Sequence, residues 1–398
     1  MSYQIRINKT LENLKPSGIR RFFDIAAEMD DVISLSIGEP DFSTPWHIRE
    51  EGIKSLQKGK TWYTPNSGLI RLRESIAKYT ERHKGLSYDP KTEILVTVGG
   101  SEAIDLGLRT LVEPGDEVLI PEPSFVCYSP LTLMAGGIPV PIVTKAEDSF
   151  RLTPEALKNA ITPKTKVLIL PYPNNPTGGV MRREHLVRIA EVLRETDIFV
   201  ISDEIYGELT YGGQPHVSIA SIDGMQERTM LISGFSKAFA MTGWRLGYAC
   251  GPKELMKQVV KLHQYALMCA PTTAQYAAIE AMENGDGDVE YMRAEYDIRR
   301  RYIVDRLCKM GLKCFEPEGA FYVFPSIEIT GLSSEDFCHR LLREKSVAVV
   351  PGTAFGDSGE GFVRISYCYS LKHITEAMDR IEDFVNNFRK GACAAKQE

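Results

Sequence analysis

The chain has 398 residues, 43% apolar and 25% charged, with a formal net charge of −6. That length suits about two domains with full cores. The acidic balance argues against a nucleic-acid surface, which needs a basic field.

The opening run Met1–Lys9 has no apolar core of signal-peptide length, and no stretch approaches the ~18 apolar residues of a membrane span. A cytoplasmic protein without nucleic-acid or membrane partners is expected. The eight cysteines contain no Cys-x-x-Cys pair and the seven histidines are dispersed. Reduced thiols and no metal site follow, so any cofactor should be organic.

In chain order, short apolar runs, most of them rich in Val and Ile, predict strands at 94–98, 117–120, 166–170, 198–202, 230–233 and 246–250. Pro114-Gly115-Asp116 is turn chemistry leading into the second of these. Between strands lie amphipathic stretches such as 183–194, with Leu186, Ile189, Ala190 and Leu193 on one face. This alternation implies an α/β fold: a mainly parallel sheet flanked by helices. The C-terminal part reads as α+β, with helices at 291–310, 334–345 and 374–388 and a strand at 347–350. Segments 319–325 and 361–367 lie between these elements. The division expected is an N-terminal segment, 1–46, packing with the small domain; a large domain, 47–289; and a small C-terminal domain, 290–398.

Ligands of an open α/β sheet bind beyond the carboxyl ends of its strands. After the strand at 94–98 comes Gly99-Gly100-Ser101-Glu102-Ala103. Its small residues admit an anion to a helix start that Ser101 is placed to cap, although a plain capped helix has the same pattern. After 166–170 comes the stiff run Pro171–Gly178, with Asn174 and Asn175 adjacent; it is equally a simple turn. Asp203 and Tyr206 follow 198–202, where an acid is often only a helix cap. Lys237 and Arg245 lie in Ser233–Tyr248. An amine there can form a Schiff base and a guanidinium can hold a phosphate; the plain alternative is a strand-end lysine with a rim arginine.

Taken together, these residues match separate atoms of pyridoxal 5′-phosphate (PLP). Asp203 suits the pyridine nitrogen, Tyr206 and Asn175 the 3-oxygen, and Lys237 the aldehyde carbon. Arg245, Ser236 and the Gly100-Ser101-Glu102 loop suit the phosphate.

The chain resembles the fold-type I PLP-dependent aminotransferases of the aspartate aminotransferase superfamily (class I/II). The resemblance rests on Leu35–Phe42, Tyr63–Gly68, Val96–Gly100, Pro114–Glu117, Asn174–Gly178, Ser202–Tyr206, Ser233–Tyr248, Gly319–Tyr322 and Val363–Ser366. It implies that Lys237 carries PLP and shuttles the α-proton, with Asp203 and Tyr206 beside it as catalytic groups. It implies that Phe125 stacks on the ring and that Arg364, with Gly38 and Asn175, holds the substrate α-carboxylate. It also implies a homodimer whose Tyr63 reaches the neighbouring subunit's phosphate.

The function implied is ping-pong transfer of the α-amino group of an L-amino acid to a 2-oxo acid. In some acidic-substrate members a lysine stands where this chain has Ser101, which puts strict aspartate specificity in doubt. Ser17–Phe22, Ile48 and Tyr128 look more like branches handling aromatic, larger neutral or N-acetyl-diaminopimelate-like substrates. A C–S β-lyase of the same fold is the alternative reading. A non-catalytic PLP-binding regulator is disfavoured, because the family motifs begin by Leu35 and leave no room for a DNA-binding module.

Overall fold

The computed structural model describes residues 5–14, 16, 18 and 31–394. Apart from Gly18, the Ser17–Phe22 segment lies outside the described residues. Strand β1 is Ile33–Ser34 and β2 is Ile94–Thr97. Next come β3 (Glu117–Glu122), β4 (Ile138–Val143), β5 (Thr165–Leu170), β6 (Phe199–Asp203), β7 (Thr229–Gly234) and β8 (Gly247–Cys250). Among the described residues, seven strands form one sheet in the order β2-β8-β7-β6-β5-β3-β4. All run the same way except β8, which is antiparallel to β2 and β7.

Alternation along each strand supplies both faces of this sheet. Val118, Ile120, Val167, Ile169, Ile201 and Ile232 are buried in one core, beneath helices Gly100–Leu111 and Lys253–Ala266. Leu119, Leu168, Leu170 and Val200 are buried in another, with helix Arg183–Arg194. Each such fully buried aliphatic side chain contributes about 1.5–3 kcal/mol. Strand β4 has no counterpart among the expected strands. Pro139 and Pro141 disguise it, yet proline is tolerated at a sheet edge, and β4 pairs only with β3.

A smaller antiparallel sheet has the order β11-β12-β9, from Val350–Pro351, Val363–Ser366 and Tyr322–Val323 respectively. The strand expected at 347–350 is two strands: β10, Val347–Ala348, pairs in parallel with β1, and β11 pairs with β12. Residues 347–350 are all buried, so no polar residue marks where the chain changes sheets. Helices Asp286–Lys309, Ser334–Lys345 and Leu371–Ala394 cover a core containing Tyr296, Ile303, Phe321, Phe337 and Phe384. The first of these begins earlier than the expected 291, because Asp286 and Asp288 suit the positive end of the helix dipole. Leu35 N–H donates to the Ala348 carbonyl at 2.8 Å, and Ser366 N–H to the Leu35 carbonyl at 2.9 Å. These bonds lock the Leu35–Phe42 segment to the smaller sheet. Among the described residues, no helix is long and apolar enough to cross a membrane.

Gly247 opens β8 directly against the loop that follows β2. A Cβ there would lie 2.7 Å from the Gly99 carbonyl carbon and 2.9 Å from the Gly100 nitrogen. Backbone on both sides leaves nothing flexible to yield. Gly247→Ala should therefore cost roughly 1–3 kcal/mol, the usual penalty of overpacking. A lower urea midpoint is expected, and an unchanged one would contradict the close approach.

Candidate active site

Because β2 to β7 share one direction, their carboxyl ends meet at one edge of the sheet, where β8 also begins. A cavity of about 400 Å³ opens at this edge, a size typical of small-molecule sites. Strands β2, β3, β5, β6, β7 and β8 each deliver part of its lining. Gly100 and Ser101 follow β2, Phe125 follows β3 and Asn175 follows β5. Asp203 ends β6 with Tyr206 just beyond; Ser236 and Lys237 follow β7; Arg245 precedes β8. Gly38 comes from the segment after β1, and Arg364 reaches in from β12.

Asp203 forms the floor. Its residue is 7% exposed. Oδ2 accepts from the Tyr128 hydroxyl at 2.8 Å, and Oδ1 accepts from the Ile205 N–H at 3.2 Å. Burial pushes its carboxyl above the usual range, against the pull of these two bonds. Among the described residues it has no ion-pair partner. A buried acid facing a cavity in this state fits a cationic group that arrives with a ligand, as a protonated pyridine nitrogen would.

Lys237 stands close by. Burial pushes its amine down to about 8, with the nearby Arg364 and Arg245 pressing the same way. Nζ donates to the Gly38 carbonyl at 2.6 Å and lies 5.8 Å from the centres of the Tyr206 and Phe321 rings. The Tyr206 hydroxyl shares a hydrogen bond with that of Tyr322 at 2.8 Å. A Cβ at position 38 would fall 1.8 Å from the Tyr322 hydroxyl, so only glycine fits there.

The expected cap at Ser101 is not formed. Gly99 is the N-cap of helix Gly100–Leu111, with φ +80° and no side-chain cap bond. A glycine at this turn leaves the first N–H groups of the helix without an internal acceptor. Arg245 lies against it: a Cβ on Gly99 would be 2.9 Å from an Arg245 Nη. Uncapped N–H groups, a helix start and a guanidinium together make an anion site.

Arg364, only 2% exposed, is the second unpaired buried charge. Nη1 donates to the Asn175 Oδ1 at 3.0 Å, Nη2 donates to the Ser36 carbonyl, and Nε has no partner. Its guanidinium packs 4.5 Å from the Tyr322 ring centre and 4.8 Å from that of Phe355. No carboxylate pairs with it among the described residues. The donor fork thus faces the cavity with capacity to spare.

Two expected residues do not line this cavity. The Glu102 carboxylate turns back into the structure, where it meets the His263 Nδ1 at 2.6 Å and accepts from the Val98 N–H. It braces the loop instead, because an acid in the first turn finds backbone donors nearer than any ligand. Tyr63 is 78% exposed and is absent from the lining of its own chain's cavity, which leaves the expectation that it serves a neighbouring subunit untouched. Conversely, Tyr322 lines the site without being expected there, and Tyr128, expected only as a mark of the substrate branch, proves to hold Asp203. Tyr128 was legible as an aromatic three residues after Phe125, and their ring centres are 6.0 Å apart. Tyr322 carried no comparable signal, since its partners come from distant elements.

The aminotransferase class I and II family profile matches residues 30–381. An aspartate aminotransferase of Pyrococcus abyssi is 50% identical over 374 residues, covering 94% of this chain and 96% of its own length. Aromatic-amino-acid aminotransferase 2 of Thermococcus litoralis is 47% identical over 378 residues, covering 94% and 97%. The crystal structure of an aromatic aminotransferase from Pyrococcus horikoshii is 47% identical and covers 93% of this chain and 99% of its own, with a TM-score of 0.89. A sheet edge built in this way, in a chain alike to these enzymes over nearly its whole length, belongs to the class I and II aminotransferases, the fold-type I PLP-dependent transaminases.

Proposed function

We propose that this transaminase holds PLP in the 400 Å³ cavity and passes the α-amino group of an L-amino acid to a 2-oxo acid in two half-reactions. The observation that carries the reading is Arg364, a buried guanidinium with an unpaired Nε and no carboxylate partner. A substrate α-carboxylate supplies the missing anion, and the planar fork fixes its orientation. Asp203 then serves the ring nitrogen, with Tyr206 and Asn175 at the 3-oxygen. Ser236, Arg245 and the Gly100–Ser101 helix start hold the phosphate, and Phe125 covers the ring. When bound, PLP supplies the electron sink that lets the α-proton leave. Lys237 Nζ takes and returns that proton, and an amine near 8 is suited to both tasks at neutral to mildly basic pH.

A homodimer belongs to the same reading. Trp62, Tyr63, Tyr265 and Leu267 are exposed, and the Thr272 hydroxyl bond to the Trp62 carbonyl brings their two stretches together. A cluster of exposed aromatics of this kind suits a subunit contact. We take 47–289 as the large domain and 290–398 as the small one, with 1–46 packing on the latter through β1. For the substrate side chain, the cations lining the cavity are Lys237, Arg245 and Arg364, each already assigned to the cofactor or the α-carboxylate, while Ile37, Ile104 and the acidic Glu39 also line the wall. This favours a neutral or aromatic side chain over a second carboxylate.

Three outcomes test the reading. Replacing Arg364 by Gln should lower kcat/KM for the amino acid by about 10²-fold, as loss of charge-assisted bonds worth roughly 3 kcal/mol implies; an undiminished kcat/KM would remove its role. In cofactor-free protein, modification of Lys237 by trinitrobenzenesulfonate requires the neutral amine, so its rate should rise with pH through a midpoint near 8. A midpoint at the ordinary lysine value of about 10.4 would contradict the geometry. Finally, kcat/KM should be higher for phenylalanine than for aspartate, and the reverse order would overturn the substrate preference.

A further inference from the structure

The proposed chemistry uses Asp203 but not the acid beside it. Glu204 is fully buried and turns away from the cavity. Its Oε1 accepts from the Ser202 hydroxyl at 2.9 Å and the Ser218 hydroxyl at 2.5 Å. Its Oε2 lies 3.1 Å from Lys84 Nζ and 2.8 Å from His216 Nε2. Lys84 ends helix Ile70–Lys84, and its side chain is only 3% exposed. A Cβ on Gly207 would come within 2.9 Å of its ammonium, so that glycine leaves the space the charge occupies. His83, Glu208, Asp286, Glu290 and Arg293 line a cavity of about 260 Å³ on the same side. Of these, Glu208 alone comes within ion-pair reach of Lys84 among the described residues, at 3.9 Å.

Two adjacent buried carboxylates each disfavour the charge on the other. Burial pushes the Glu204 carboxyl up, but Lys84 and His216 outweigh it and hold the group at about 2. Glu204 therefore stays an anion, and its charge is among the influences that raise Asp203. Among the described residues no cation forms an ion pair with Asp203, although Lys237 lowers it from a distance, so the field from Glu204 matters to it.

We propose that Lys84 is a positioning residue for transamination: by neutralising Glu204 from outside the cavity, it leaves the neighbouring Asp203 available as an anion for the cofactor's ring nitrogen. The proposal rests on the assignment of Asp203 to that nitrogen. It distinguishes the two acids of one strand end. Glu204 is satisfied within the fold, and Asp203 is kept for the ligand.

The test is the dissociation constant of PLP from cofactor-free protein, measured by equilibrium dialysis. Lys84→Met strips the cation and exposes Asp203 to the Glu204 charge, so Kd should rise about tenfold, the equivalent of one pKa unit. Glu204→Gln breaks the same ion pair from the other side but removes the offending charge. Its Kd should be no higher than wild type, since the remaining Lys84 cation favours the Asp203 anion, and the Lys84→Met/Glu204→Gln double variant, with both charges gone, should stay within about twofold of wild type. A merely structural pair would make the two single variants equally weak. That result, a weak double variant, or wild-type binding by Lys84→Met overturns the proposal. Should Lys84→Met fail to fold, Lys84→Gln replaces it, with the same rise of about tenfold expected and wild-type binding overturning the proposal. Asp203→Asn is the separate control: wild-type affinity in that variant would defeat the underlying assignment of Asp203, whatever Lys84 does.

Discussion

Asp203 and Arg364 are buried at 7% and 2% exposure, and neither has a counter-ion among the described residues. Holding such charges out of water costs several kcal/mol per ion. Much of the remaining structure bears on that cost. Tyr128 and the Ile205 N–H stabilise the carboxylate from below, and Asn175, Ser36 and two aromatic rings surround the guanidinium. The balance is left for a ligand that brings a cation to one and an anion to the other. Charge left unsatisfied on two sides of one cavity is binding capacity held in reserve for a ligand.

The scaffold makes that storage possible by being stiff where the groups emerge. The central strands are apolar on both faces, so their carboxyl ends cannot shift without disturbing two cores at once. The glycines at 38, 99 and 247 let backbone or phenol approach more closely than any side chain would permit. The Arg364–Asn175 bond joins the smaller sheet to the loop after β5 across the cavity. A displacement of either sheet would therefore be felt at the Arg364 guanidinium. Placing reactive groups on such rigid elements is what preorganisation demands.

Much of this was legible in the sequence because the informative residues are local to strand ends. Asp203, Lys237 and Arg245 each follow or precede a short apolar run, and periodicity finds such runs well. What escaped notice depends on contacts between distant segments. The prolines at 139 and 141 hid an edge strand whose pairing only the sheet reveals. The unbroken apolar run 347–350 concealed a change of sheet, since no alternation marked it. Ser101 looked like a cap, but the N-cap is Gly99, two residues earlier, with positive φ and no side-chain bond. Glu102 chose His263, a partner 161 positions away that no local pattern could supply. Tyr322 escaped for the same reason.

The identity of the lysine that binds the cofactor bears on every assignment at this site. Reduction of the holoenzyme with tritiated borohydride, followed by peptide mapping, reads it directly. The pyridoxyl label should appear on the peptide carrying Lys237 and on no other. Label on a different lysine, or none at all, would contradict the account.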